Sequence, residues 1–195
     1  MGASLAEEIA SIAARLVVDE GMEYGQAKRK AARSLGRAPR GGAELPSNEQ
    51  VEDEVRSHLA LFCAATQPGE LRALRELALR WMQKLAEFRP HLSGAVWRGT
   101  ATRLSAIHID LYCDDPKAAE IALINLGVAY DSAGDGDVHY LSLAQACPAL
   151  GEPVTVHLAV RDFDDQRGAL RPDARGRSWR GDAAALQRLL ESEGR

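Results

Sequence analysis

Apolar residues recur at helical spacing through the first half of the chain and then switch to alternation. Leu5, Ile9, Ile12, Leu16 and Val17 share one face, with Glu7, Glu8 and Arg15 outside it, which predicts a helix closed by Gly21. A second short helix is expected from Tyr24 to Leu35, stopped by Gly36. Gly and Pro between Arg37 and Pro46 mark a loop. Ser47-Asn48-Glu49-Gln50 has the form of a capping box, and Val51, Val55, Leu59 and Phe62 give the stripe behind it. A fourth helix, after Pro68-Gly69, places Leu71, Leu74, Leu77, Trp81, Leu85 and Phe88 on one face and ends before Pro90. That long apolar stripe reads as core.

From residue 105 the period changes to two. Ile107, Ile109 and Leu111 fall on one strand face, and Ala106, His108, Asp110 and Tyr112 on the other. Asp115-Pro116 predicts a helix start, with Asp115 as N-cap and Pro116 in the first turn. The N-cap role accounts for Asp115, so Asp114-Asp115 is not read as a displaced catalytic pair. The helix carrying Ile121, Leu123, Ile124 and Leu126 should close at Gly127. A short strand is expected at Val128–Tyr130, a turn at Gly134–Gly136, and strands at Val138–Leu143 and Pro153–Val160. An arginine-rich loop over 161–181 then precedes a helix from Asp182 to Leu190. The expected fold is α+β: an N-terminal helical region, 1–89, packed on a small mixed sheet, 90–195, with one shared core.

The chain has 195 residues, 46% of them hydrophobic and 27% charged, the balance of an ordinary soluble domain. A net charge of -4 argues against a surface devoted throughout to nucleic acid. Cys63, Cys113 and Cys147 are too few for a disulfide framework and lack zinc-site spacing, as reduced intracellular thiols would. No apolar run reaches the roughly 18 residues of a membrane span, and Met1-Gly2-Ala3-Ser4 leads into acidic residues, not into a signal peptide. The expectation is a cytoplasmic protein with no membrane partner.

The stretch Leu92-Ser-Gly-Ala-Val-Trp-Arg-Gly-Thr-Ala-Thr-Arg-Leu-Ser-Ala-Ile-His-Ile-Asp-Leu111 carries the chemistry. It resembles the opening of the polymerase-beta-type nucleotidyltransferase superfamily, where a strand ends in Gly-Ser and a later strand reads Ser-Asp-Ile-Asp. Gly94-Ala95 stands at the Gly-Ser, Arg98-Gly99-Thr100-Ala101 at the turn that follows, and Ser105-Ala106-Ile107-His108 at the strand motif. In that family two carboxylates spaced by two on a strand share a face and clamp divalent cations, while the Gly-Ser turn brings backbone N–H groups to the triphosphate. Here Ala106 and His108 replace both aspartates, and the strand matching the one with the third carboxylate, Pro153–Val160, holds no acid. A looser likeness covers most of the chain, from about residue 5 to about 180. It runs through Ile12-Ala-Ala-Arg-Leu16, Ala27-Lys-Arg-Lys-Ala-Ala-Arg33, Leu74-Arg-Glu-Leu-Ala-Leu79 and the Asp-Asp-Pro helix ending in Leu126-Gly127. It resembles a group of bacterial nucleotidyltransferase-like proteins without an assigned activity. The resemblance implies a nucleotidyltransferase-like sheet with a degenerate active site. A P-loop enzyme is excluded, because no GxxxxGK[ST] run exists.

Three functional readings follow. In the first, the protein binds a nucleotide, nucleic acid or protein partner without nucleotidyl transfer, and Gly94, Arg98, Gly99 and Thr100 form a phosphate pocket without chemistry. In the second, an enzyme uses a divalent metal on an altered set, His108, Asp110 and His157, which converge if their strands are neighbours; His-Asp-His ligands suit Zn²⁺, Mn²⁺ or Fe²⁺ better than Mg²⁺. The same residues also fit a plain polar sheet face. In the third, the chain is a structural or interaction module, a homodimer joined through its helical half. Residues 21–41 hold six cations (Lys28, Arg29, Lys30, Arg33, Arg37 and Arg40) against Glu23, a local balance of +5. RNA or DNA contact there competes with a solvated helix face paired to the acids of the next helix. Two short helices before a basic loop have the order of a helix-turn-helix, without a recognition-helix pattern. Residues 161–181 hold six arginines and four aspartates, a loop able to offer forked donors to a phosphate or simply to lie mobile on the surface. Trp97 and Trp179, each beside an arginine, would stack on a base or cover the edge of the core.

Overall fold

The computed structural model of the chain describes residues 4–36, 45–135, 138–173 and 175–194. Two compact units emerge. One comprises residues through Pro68 with Thr100–Leu104, and the other Gly69–Gly99 with the chain from Ser105 onward.

Three helices build the first unit: α1 (Leu5–Glu20), α2 (Tyr24–Ser34) and α3 (Asn48–Phe62). Ser4 and Glu7 close a capping box on α1, and Ser47 with Gln50 closes the expected one on α3. The buried set is Ile9, Ala10, Ala13, Ala14, Val17 and Val18 of α1, Ala27, Ala31 and Ala32 of α2, and Val51, Val55 and Leu59 of α3. Half of this set is alanine. Gly21 ends α1 with φ 66°, and a Cβ there would lie 2.6 Å from the Leu104 carbonyl oxygen, so both backbone conformation and space demand glycine. Phe62, placed by periodicity on the α3 stripe, is instead 72% exposed beside the exposed Leu61, at the last residue of the helix.

The second unit holds a six-stranded sheet: β1 (His91–Ser93), β2 (Ile107–Tyr112), β3 (Asp131–Asp135), β4 (Val138–Cys147), β5 (Glu152–Arg161) and β6 (Arg180–Asp182). The order is β3-β4-β5-β2-β1-β6; β2 and β5 run parallel, and the other neighbours antiparallel. With helices α4 (Gln67–Lys84), α5 (Gly94–Arg98), α6 (Pro116–Asn125), α7 (Gln166–Ala169) and α8 (Ala183–Glu193) the fold is α+β. Helix α4 begins two residues before the division and buries Leu71, Leu74, Leu77, Trp81 and Met82. Arg75, also buried on α4, donates to the Val96 and Trp97 carbonyls at the end of α5 and pairs with Glu193 of α8. On the sheet's apolar face, Ile107, Ile109 and Leu111 stand beside Val156, Leu158 and Val160, followed by Leu141 and Leu143.

Local differences from the sequence expectation have physical causes. Val128–Tyr130 is not a strand. The strand begins at Asp131, runs through Gly134, and forms by antiparallel backbone pairing with β4 from Asp131↔Ser142 to Asp135↔Val138. An edge strand of this composition has no apolar alternation to reveal it. Gly136, expected in the turn, and residues 37–44 of the expected loop lie outside the described residues. The 161–181 segment is more ordered than a plain loop: it contains the end of β5, a short 3₁₀ turn at Phe163–Asp165, α7 and the start of β6.

Candidate functional site

Alternation on β2 and β5 sorts one sheet face into polar positions. Parallel register sets His108 beside His157, Asp110 beside Ala159 and Tyr112 beside Arg161. Across the antiparallel pairs, Ser93 and His91 of β1 stand opposite His108 and Asp110, and Ser142 of β4 stands opposite His157. The sheet thus sets His91, His108, His157, Ser93, Ser142, Tyr112 and Asp110 on one side.

His108 and His157 meet as expected. Their rings stack with centroids 5.0 Å apart at 28°, and His157 Nδ1 is 2.8 Å from Ser142 Oγ. Asp110 shares their face but does not join them. Its carboxylate is 97% buried and clamped: Arg161 Nε donates to Oδ1 at 2.8 Å and Arg180 Nε to Oδ2 at 2.5 Å. A metal ion would have to displace two guanidiniums to reach these oxygens, and two neighbouring imidazoles do not complete a site. Among the described residues no group of three or more His, Cys, Asp or Glu side chains is placed to hold a metal.

The clamp leaves donors over. The hydrogen bonds from each arginine to Asp110 run through Nε, and Arg180 Nη1 makes one long contact, 3.5 Å, to the Ala169 carbonyl. Within the clamp two cations meet one anion, and both arginine side chains remain just over a quarter exposed. Next to them the Tyr112 hydroxyl is buried without a hydrogen-bond partner among the described residues. Burial and the Asp110 charge push that phenol above its ordinary range, against the opposing pull of Arg180 and Arg161. Further along the same face, a cleft of about 340 Å³ is lined by Tyr130, Asp131, Ser142, Ala144 and Thr155.

Of the four residues expected to cradle phosphate, Gly94, Arg98 and Gly99 lie in the sheet unit and Thr100 in the helical one. Gly94, at φ 68°, starts α5 with its α-carbon against the His108 ring, where a Cβ would sit 3.4 Å from Cδ2. Gly99, at φ 83°, ends the same five-residue helix. Arg98 is almost wholly buried: it pairs with Asp173 at 3.0 Å, donates to the Ser178 carbonyl at 3.2 Å, and stacks 4.2 Å over the Trp179 ring. Thr100 belongs to the helical unit, where its hydroxyl lies 3.2 Å from the Tyr24 hydroxyl. Asp173 organises the arginine-rich segment. Its burial favours the neutral acid, but the Arg177 N–H, the Arg98 guanidinium and the Arg175 N–H hold the carboxyl below its usual range. Trp97 packs its ring on Gly181 and donates to the Ser178 carbonyl, which assigns it to the core edge; Trp179 stacks on Arg98.

On the basic helix, Lys28 donates to the Pro46 carbonyl and to Asn48 Oδ1, and burial lowers its ammonium below the usual lysine range. Lys30 pairs with Glu20 at 2.6 Å. Arg29 and Arg33 are exposed, and neither makes an ion pair among the described residues. Two groupings escaped the sequence reading. The Asp110 clamp depends on β6, whose three residues are too short for any periodic signal. The second grouping joins Glu120 of α6 to His139 Nε2 at 2.7 Å and to the Tyr130 hydroxyl at 3.0 Å, on the apolar side of β4. No protein-family model matches this chain, and no curated protein matches its sequence. Among the described residues no helix is long and apolar enough to cross a membrane.

Proposed function

We propose that this chain is a nucleotidyltransferase-like protein that has lost its catalytic carboxylates and binds a phosphate-bearing ligand, a nucleotide, without transferring it. The observation that carries this reading is the Arg161–Asp110–Arg180 clamp. On β2 and β5, Asp110 is the single acid on the polar face, and its charge is already overbalanced by two guanidiniums. A transferase of the resembled type needs unneutralised carboxylates to hold its cations, and phosphoryl chemistry depends on those ions. A face with residual positive charge suits the phosphate itself. Terminal guanidinium donors of Arg161 and Arg180 supply forked contacts, and the Tyr112 hydroxyl adds a donor if the arginines shift to admit the ligand. His108 and His157 stack on the same face, and two imidazoles alone do not complete a cation site.

Calorimetry with ATP, GTP, CTP and UTP tests the reading. Binding of at least one nucleotide is expected, weakened about tenfold or more in Arg161→Gln, which removes one charge-assisted contact. Incubation with Mg²⁺ or Mn²⁺ and a nucleic-acid or protein acceptor should yield no nucleotidyl product. Absence of heat with all four nucleotides, or metal-dependent transfer, contradicts the proposal.

A further inference from the structure

Helix α2 presents a face that the sheet site does not use. Ala27, Ala31 and Ala32 are buried, while Gly25, Gln26, Arg29 and Arg33 are exposed. At 100° per residue these four positions fall within one arc opposite Ala27 and Ala31. The helix contains four cations and no acid between Tyr24 and Ser34. Lys28 and Lys30 are engaged inside the unit, and Arg29 and Arg33 carry the charge that faces outward. Gly25 leaves the start of that face without a side chain, and the Arg29 guanidinium reaches back toward it, 3.7 Å from where a Cβ would stand. A three-residue turn, Gly21–Glu23, with Gly21 in the left-handed conformation, joins α2 to α1; α3 packs on α1 and completes a three-helix core. Helix, three-residue glycine turn and a second helix with an outward cationic face is the arrangement that lays a helix into the DNA major groove.

We propose that α1, the Gly21–Glu23 turn and α2 form a helix-turn-helix that binds double-stranded DNA, with Gln26, Arg29 and Arg33 toward the duplex. Arg29 and Arg33 are one turn apart, so both reach phosphates or guanine edges along one groove. Gln26 has the donor and acceptor pair that reads adenine. Glu23, before the first turn, is the single acid between residues 21 and 36.

Fluorescence anisotropy of the full chain with a labelled 30-base-pair mixed-sequence duplex tests this. Binding at about 1 µM or tighter is expected at 50 mM salt, weakening steeply as salt rises. Arg29→Ala with Arg33→Ala should weaken binding at least tenfold and reduce the log–log salt slope by about two, with the circular dichroism spectrum unchanged. Arg29→Lys with Arg33→Lys keeps the charge and should restore binding to within about threefold of the parent. Arg167→Ala, removing an exposed arginine of the other unit, should leave binding unchanged. The proposal is overturned by no binding at 50 mM salt, by equal binding of the double alanine variant, by failure of the lysine pair to restore it, or by tighter binding of a single-stranded RNA of the same length.

Discussion

Two regions of this molecule are rich in cations, and the structure treats them in opposite ways. In the sheet unit, Arg98 pairs with the buried Asp173, and Arg161 and Arg180 pair with the buried Asp110. On α2, partners in the same unit engage Lys28 and Lys30 but leave Arg29 and Arg33 facing outward. Counting charges along the sequence gives +5 for the first basic stretch and +2 for the second, yet the more heavily neutralised stretch builds the richer site. What decides the role is where an acid sits in register. A buried carboxylate fixes arginines with directed donors, whereas an exposed cation without a partner is available to a polyanion.

The comparison can be broken first at Asp110. Asp110→Asn removes the charge that two guanidiniums share in a mostly buried position, and a loss of about 2–4 kcal/mol is expected. That corresponds to a fall of roughly 6–12 °C in melting temperature, measured by calorimetry or circular dichroism. An unchanged melt would show that the clamp does not hold the sheet edge together. Asp173 gives a second, pH-dependent handle. Its carboxyl titrates below its unfolded value, so its stabilisation is complete above the unfolded pKa and disappears as pH falls through the folded one. The stability difference between the parent and Asp173→Asn should therefore be constant from pH 7 to about 5 and shrink below about pH 4. A difference that grows on acidification contradicts the assignment. The smallest effect is expected on α2. Lys30 and Glu20 are both nearly half exposed, and Lys30→Ala should change stability by no more than about 0.5 kcal/mol.

Much of the framework was legible before the structure, for identifiable reasons. Helical stripes announced α1, α3 and α4, the Ser47–Gln50 box and Asp115 marked helix starts, and alternation marked β2 and β5. The facing of His108 and His157 followed from that alternation once the strands proved to be parallel neighbours. The strands β1 and β6 were illegible because three residues cannot show a period, and β3 because Asp131–Asp135 carries no apolar pattern and depends on β4 for its hydrogen bonds. For the same reason the partner set of Asp110 was hidden: Arg180 reaches it from seventy residues away, through a strand that only backbone pairing defines. The phosphate cradle expected at Gly94, Arg98, Gly99 and Thr100 rested on the resemblance of this turn to the nucleotidyltransferase Gly-Ser turn. In the fold, the side chains of Arg98 and Thr100 belong to different units.

We propose that the polar sheet face, with Asp110 neutralised by Arg161 and Arg180, takes a phosphate-bearing ligand without a metal. Titrating ATP into the protein in excess chelator, and again in Mg²⁺, tests it directly. Full binding is expected in chelator and equal or weaker binding in Mg²⁺, since the ion competes with the arginines for the phosphate charge. Binding that appears only when Mg²⁺ is present would contradict it.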